Sequence, residues 1–379
     1  MIAVLLFWTS LAAIVYAYIG YPLVLTVLSP FLSKPVQKRS LTPSVTLIVS
    51  AYNEEKAIEE KIRNSLALDY PREMLDIMVV SDGSSDRTDE IVRAWSPSGV
   101  RLLRVEGRVG KTACLNRAVP EARGEIVVFS DANSVYDRNA LKEMVANFAD
   151  PGVGCVTGHT KYLGGNGTVD QSIGIYAQLE KLTKRRESAI GSCIGADGAI
   201  FAIRKELYRP LKGTDINDFV IPLNVVRQGY RTVFEEGAWC VEETAKEPER
   251  EFSRQVRITN RTLRAIFKKK LGFLSSPEHT LFSFELLSHK VAKFLVPLFL
   301  TSALVSNLAL TGAQGFYRLL ILLQAGFYAL AVLERGFVSA LLEKVMSACR
   351  TFAVVNAAIL NGWITYARGR DFTTWKPHR

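Results

Sequence analysis

From Ile2 to Leu32 the chain carries no charged residue. A secretory signal needs a basic stretch ahead of a short apolar core; this run begins uncharged and is too long. It reads instead as a membrane-spanning helix, for which about 20 apolar residues suffice. Cysteine is scarce: Cys114, Cys155, Cys193, Cys240 and Cys349 include no C-x-x-C pair. That argues against the usual zinc-ligand spacings and fits reduced, buried thiols in a cytoplasmic domain. The turn after the first apolar strand, Ala51-Tyr52-Asn53-Glu54-Glu55, lacks the Gly-x-Gly-x-x-Gly that lets a dinucleotide pyrophosphate approach the backbone. This weighs against a nicotinamide enzyme. No aromatic-basic platform or nucleic-acid-binding motif accompanies the net charge of +10, so no nucleic acid partner is expected.

What is present is hydrophobicity concentrated at the ends. With 48% hydrophobic and 22% charged residues and a mean hydropathy of +0.12, the chain is too apolar for an ordinary soluble enzyme. Lys34, Lys38 and Arg39 follow the first run, and the positive-inside rule keeps what comes next in the cytoplasm. Further apolar runs cover Val291 to Leu310, Phe316 to Leu333 and Thr351 to Tyr366, the third interrupted by Asn356 and Asn361. Basic residues at Lys268-Lys269-Lys270, His289-Lys290 and Lys293 suit anionic lipid head groups; ordinary solvated charge is the alternative for each. One span before the central region and three after it would leave the tail beyond Ala367 across the membrane, whereas its basic character prefers the cytoplasm.

Between these ends, strand patterns at 44–50, 75–80, 100–105 and 125–129 alternate with helix patterns at 54–66, 86–95 and from Lys111 onward. Such alternation predicts an α/β fold with a mainly parallel, Rossmann-like sheet covered on both faces. From 153 to 250 the pattern is mixed, with strands at 154–160 and 198–203, a long helix at 169–187 and another at 218–227. Residues 250–270 alternate arginine and apolar positions at helical spacing, as a helix on a membrane surface does.

In an open α/β sheet, ligands sit outside the carboxyl ends of the strands, and three strands here end in acids: Glu54, Asp82 and Asp131. Asp131-Ala132-Asn133 has two readings: a turn, which Asp and Asn favour, or oxygen ligands at i, i+2 for a hard divalent cation. Asp82 is free at its strand end to accept from a base N–H, while Ser85 or Asp86 caps the next helix. Gly110-Lys111 opens a helix where a lysine can approach phosphate, the alternative being a solvated lysine.

Together AYNEE, VVSDGSSD, GKTACLN, FSDANS and NDFVIPLNVVRQGYR resemble the inverting family 2 glycosyltransferases of GT-A fold. With the flanking apolar segments, the chain is similar to the membrane-bound bacterial polysaccharide synthases, which include hyaluronan, chitin and poly-N-acetylglucosamine synthases. The resemblance implies a membrane helix at 1–32, a GT-A domain at 33–249, interfacial helices at 250–289, a transmembrane region at 290–366 and a basic tail at 367–379, in a bacterial inner or plasma membrane. It implies a nucleotide-sugar donor, usually a uridine one, bound by Ala51, Tyr52, Glu54, Asp82, Lys111 and Asp131. Mg²⁺ or Mn²⁺ would lie on Asp131 and Asn133, although the family usually has a carboxylate at the second position. Asp218, ahead of Gly229-Tyr230, matches the catalytic base, with Asp215 as a neighbouring competitor. Asp197 and Gly198 would shape the acceptor side. Arg254 and Arg257 fall where the synthases have Gln-x-x-Arg-Trp; Arg257 would meet the departing diphosphate, and Ile258 replaces the tryptophan.

The acceptor implied is a saccharide or lipid-linked saccharide. The whole-chain resemblance leans toward a processive synthase, whereas Ile258 leans toward single additions. A non-catalytic nucleotide-sugar sensor in a secretion complex, with Asn133 and Asn217 as degenerate positions, is the alternative of another class.

Overall fold

A computed structural model describes residues 1–163, 174–243, 248–268, 279–312, 315–333 and 339–372. Strands β1 (Val45–Ala51), β2 (Leu75–Asp82), β3 (Val100–Val105), β4 (Ile126–Asp131), β5 (Val135–Tyr136), β6 (Val153–Leu163), β7 (Ile200–Arg204) and β8 (Arg231–Glu243) form one sheet in the order β3-β2-β1-β4-β7-β6-β8-β5. The first four are mutually parallel, and β7 runs antiparallel to both β4 and β6. The helices are α1 (Ile2–Val15), α2 (Tyr21–Leu32), α3 (Ile58–Leu66), α4 (Thr88–Ala94), α5 (Lys111–Glu121), α6 (Ala140–Ala146), α7 (Gly174–Ile190), α8 (Asn217–Arg227), α9 (Pro248–Lys268), α10 (Thr280–Leu286), α11 (Ala292–Leu310), α12 (Gly315–Val332) and α13 (Ala340–Ala367).

β1 is buried along its whole length, as a central parallel strand with helices on both faces must be. Successive side chains part to opposite sides. Leu47, Val49, Ile77, Val79 and Val128 share a core with Ile58, Ile62, Val92 and Met144 of α3, α4 and α6. Ile48, Met78, Val80, Val127 and Phe129 join the other, with Leu115 of α5 and the apolar face of α8. Ala265 and Ile266 of α9 and Phe282 and Leu286 of α10 complete that second core, so the sheet domain packs directly on the membrane-side helices.

β8 has no counterpart among the expected strands, because Glu235-Glu236-Gly237 interrupts its apolar run. The interruption is accommodated by a register shift opposite β6, and the buried Glu235 carboxylate accepts from Lys38 and from Asn147 Nδ2 at 2.7 Å.

Among the described residues, four helices are long and apolar enough to cross a membrane: Ile2–Leu32, Thr280–Leu310, Gly315–Val332 and Leu342–Ala367. The first two are continuous through π-helical turns at Tyr16–Gly20 and Leu287–Val291, and the Tyr16 and Ser288 hydroxyls meet across them at 2.8 Å. The second helix starts well before the apolar run at Val291, because its polar first part is absorbed by protein. His289 is fully buried, with Nδ1 2.6 Å from Glu187 and Nε2 3.0 Å from Glu180. Tyr21 of the first helix donates to the same Glu187 at 2.7 Å. This buried network fixes both helices against α7.

The amphipathic pattern at 250–270 does form a helix, but α9 is wedged between the sheet domain and α13 rather than lying only on lipid. Asn260 Nδ2 donates to Thr365 Oγ1 at 3.1 Å, and any side chain at Gly362 would collide with Thr259, 2.6 Å from the position of its Cβ. Of the basic triplet Lys268-Lys269-Lys270, the last two lie outside the described residues, as do 169–173 of the expected long helix and 373–379 of the tail. The tail begins against α9: Arg264 donates to the Arg370 carbonyl at 2.7 Å and pairs with Asp371 at 2.5 Å. Residues 368–372 thus lie on the side of the helices that carries the sheet domain, as the basic composition of this stretch favours and the simple span count does not.

The five native cysteines are buried, which makes topology measurable. A membrane-impermeant maleimide should label Arg368→Cys and Glu60→Cys, both exposed positions, from the same side of sealed vesicles. Labelling from opposite faces would overturn the placement of the tail.

Candidate active site at the strand ends

Register brings the acids to one edge. Ala51 pairs with Ser81, Ser50 with Asp131, and Asp82 with Val105, so the ends of β1, β2 and β4 are level. The turn after β1 is rigid: Asn53, at a positive φ of 53°, accepts from the Ser85 N–H at 2.8 Å, and the Glu54 N–H reaches Thr88 Oγ1 at 2.8 Å. Glu54 itself is buried. The ring of Tyr52 lies under the Arg108 guanidinium, 4.1 Å from centroid to carbon. Nothing in the local pattern singled out Arg108.

Asp82 differs from expectation. Its carboxylate is not free but accepts from the backbone N–H groups of Val109 and Gly110 at 2.8 and 2.9 Å. It thereby ties the end of β2 to the loop that launches α5. Lys111, the first residue of α5, forms an ion pair with Asp131, and its ammonium lies 3.5 Å from the Gly198 carbonyl. Asp131 keeps 32% of its side chain exposed. Asn133 is exposed in the turn that follows, so the Asp-x-Asn pair keeps solvent access at the strand end while Asp131 also meets Lys111.

The loop at 195–198 wraps Asp218, at the start of α8. The Ala196 N–H donates to the Asp218 carbonyl at 2.7 Å. A Cβ on Gly198 would sit 3.0 Å from Asp218 Oδ2, so only glycine leaves that carboxylate its full space. Asp197 is committed to structure: it accepts from the Thr160 N–H and hydroxyl at 2.9 and 3.0 Å. Asp218 Oδ1 is buried with no hydrogen-bond partner among the described residues. Burial, aided by the charges of Asp197 and Asp131 and opposed by Lys111 and Lys290, raises its pKa above the ordinary carboxylate value. Asp215 is placed differently, its carboxylate accepting from the Lys212 N–H at 2.9 Å within its own turn.

Helix α9 supplies the cations. Arg254, Arg257 and Arg261 recur at helical spacing, and the fields of Asp218 and Asp131 act on Arg257. Burial, then the like charges of Arg261 and Arg254, lower the Arg257 pKa to about 10. Its guanidinium makes no hydrogen bond among the described residues. Arg261, not anticipated from the sequence, is buried and donates to Thr112 Oγ1 at 3.0 Å and to the carbonyls of Thr214 and Gly213 at 3.2 Å. Arg254 acts on Tyr162 and Glu242 instead. Glu242, at the end of β8, was also missed. It accepts from the Ser134 hydroxyl, and burial followed by the negative charge of Asp131 pushes its pKa up to about 7.

A mainly parallel sheet of this order, with acids at its carboxyl edge and an arginine helix above them, has the GT-A fold. Residues 46–211 match the family model for glycosyl transferase family 2. The chain is 27% identical over 203 residues to a poly-beta-1,6-N-acetyl-D-glucosamine synthase of Staphylococcus aureus, covering 52% of this chain and 49% of that one. The Staphylococcus epidermidis synthase is 25% identical over the same share. The chain therefore spans about half the length of the curated relatives it matches. The structure of a mannosyltransferase from Pyrobaculum calidifontis, in complex with GDP-Man and Mn²⁺, superposes with a TM-score of 0.73 at 24% identity over 97% of this chain and 100% of that one. This likeness establishes the shared fold, membrane-side helices included.

Glu242 gives a direct test of the electrostatics. A carboxyl whose folded pKa is raised above its unfolded value adds stability below the unfolded pKa and loses it as pH rises through the folded one. With chelator present, Glu242→Gln should therefore raise the apparent thermal midpoint by a few degrees at about pH 8 and by much less near pH 5. Equal midpoints at the higher pH would refute the raised pKa.

Proposed function

We propose that the protein is an inverting, membrane-embedded glycosyltransferase that moves a sugar from a nucleotide donor to a hydroxyl of a saccharide or lipid-linked saccharide. The observation that carries this reading is Asp218: a carboxylate with one buried oxygen that has no partner among the described residues and a raised pKa, beside Asp131 and Lys111 at the strand ends. In the transfer, a bond forms between the acceptor oxygen and the anomeric carbon as the bond from that carbon to the diphosphate breaks. The acceptor proton passes to Asp218 and the electron pair leaves on the diphosphate. Inversion requires the base opposite the leaving group.

Tyr52, Glu54 and Asp82 line the nucleoside end in this proposal. Asp82 acts through the Val109–Gly110 loop it holds unless that loop moves away to release its carboxylate. Lys111 and Arg257 face the diphosphate, with Arg257 supplying a cation not already spent on a protein acceptor. Asp131 and Asn133 fit a hard cation by their oxygen chemistry and solvent access. A bound Mg²⁺ or Mn²⁺ would stabilise the diphosphate's charge; the Asn133 amide neutralises none of the ion's charge, so binding leans on the phosphates. The domain faces the cytoplasm in this reading, where nucleotide sugars are supplied.

The processive alternative rests on similarity to synthases. Ile258 stands where they have tryptophan and lines the cavity beside Asp218, which favours short products. A ladder of long polymer from donor and primer would instead support processivity, and absence of nucleoside diphosphate release across donors would support a sensor subunit.

Two outcomes are expected. UDP or GDP should bind at least about tenfold more tightly with Mn²⁺ or Mg²⁺ than with chelator; equal affinity in both would remove the metal from the site. Asp218→Asn should retain nucleotide binding and lose about 10²- to 10⁴-fold in transfer rate, while Asp215→Asn stays near normal. The parent rate should fall as pH drops through the raised Asp218 pKa. Near-normal transfer by Asp218→Asn would move the base elsewhere.

A further inference from the structure

A cavity of about 180 Å³ lies between the sheet domain and the membrane-side helices. Three kinds of lining converge in it. Asp218 and Gly195-Ala196 form its domain end. Lys184 of α7 and Lys290 and Lys293 of the Thr280–Leu310 helix bring ammonium groups to its side. Phe294, Val355 and Ile359 give it an apolar wall from helices able to cross a membrane.

The lysines are unequal. Lys293 pairs with Glu180 at 2.8 Å, whereas Lys184 and Lys290 form no ion pair among the described residues. Ionisable residues within an apolar spanning helix are costly and are kept where they face a partner or a polar cavity. Glu180, already paired with His289 and Lys293, and Asp218 line the same cavity and act on Lys290 through space, so three ammonium groups meet two carboxylates beside an apolar wall, and an anion attached to a hydrocarbon tail complements both the surplus charge and the wall. The two π-helical turns, Tyr16–Gly20 and Leu287–Val291, border the same space through Tyr18 and Lys290. Such turns shift the helical register, and here they bring these two side chains to the cavity. An ordinary surface anchor for head groups does not explain why the lysines share a cavity with Asp218.

We propose that this cavity binds the acceptor, and that the acceptor is a membrane amphiphile whose head carries a phosphate ester: the phosphate lies on Lys184 and Lys290, the tail follows Phe294, Val355 and Ile359 toward the bilayer, and the hydroxyl to be glycosylated reaches Asp218. The inference rests on Asp218 being the base of the transfer reaction and names the acceptor class for it.

The test uses the purified full chain in phosphatidylcholine nanodiscs, with farnesyl phosphate as probe and farnesol and inorganic phosphate as controls. Farnesyl phosphate should bind at least about tenfold more tightly than farnesol, and the doubly substituted Lys184→Gln, Lys290→Gln protein should lose about tenfold in that affinity. The matching Lys184→Arg, Lys290→Arg protein should retain it, which separates loss of charge from misfolding. Equal binding of farnesol, an unchanged affinity in the glutamine protein, or displacement of the probe by equimolar inorganic phosphate would overturn the proposal, the last in favour of a soluble anion. UDP and GDP binding with Mn²⁺ is measured on the same samples. Nucleotide binding without probe binding rejects the lipid-phosphate acceptor alone; probe binding without nucleotide binding rejects the transferase reading and leaves a lipid-phosphate site.

Discussion

The guanidinium of Arg261 holds the site together. It is buried and reaches Thr112 on α5 and the carbonyls of Gly213 and Thr214 in the loop before α8, with a further bond to the Asp215 carbonyl. One side chain of α9 thus joins the helix that begins with Lys111 to the loop that leads into Asp218. Carbonyl acceptors of this kind offset the cost of burying a charge only when the geometry is good, so the three elements are fixed relative to one another. One turn back along α9, Arg257 is consequently held in the field of Asp131 and Asp218 without being consumed by either.

The same economy of charge runs through the rest of the edge. Asp82 spends its carboxylate on two backbone N–H groups, Asp197 on Thr160 and Asp215 on its own turn. Each is an acid that builds a loop. Asp131 keeps solvent access while pairing with Lys111, and Asp218 keeps an oxygen without a donor among the described residues. These partners separate the acids that build loops from those left open, and of the open pair Asp218 lines a cavity shared with the membrane-side helices.

The strands and the level of their acidic ends were legible because parallel central strands write themselves as short apolar runs closed by polar residues: 44–50, 75–80 and 100–105 all reappear as β1, β2 and β3. β8 was not, because Glu235 breaks the run; its charge is met by Lys38, with a hydrogen bond from Asn147, both distant in sequence. For the same reason Arg261, Arg108 and Glu242 escaped notice: each acquires meaning from a neighbour brought by the fold. An arginine in an amphipathic helix looks like membrane-surface charge until the loop it binds is known. The polar start of the Thr280–Leu310 helix was likewise illegible, since Glu187 and Glu180, which meet His289, lie on α7.

In the proposed reaction, α9 presents Arg257 to the diphosphate because Arg261 anchors the helix. A double-mutant cycle on nucleoside diphosphate affinity, with Mn²⁺ present, tests it most directly. Arg261→Gln should weaken binding by a factor similar to Arg257→Gln, although Arg261 has no contact with the ligand in this account. The double variant should then be little worse than either single one, because both remove the same interaction. Full affinity in Arg261→Gln, or losses that simply add, would contradict it.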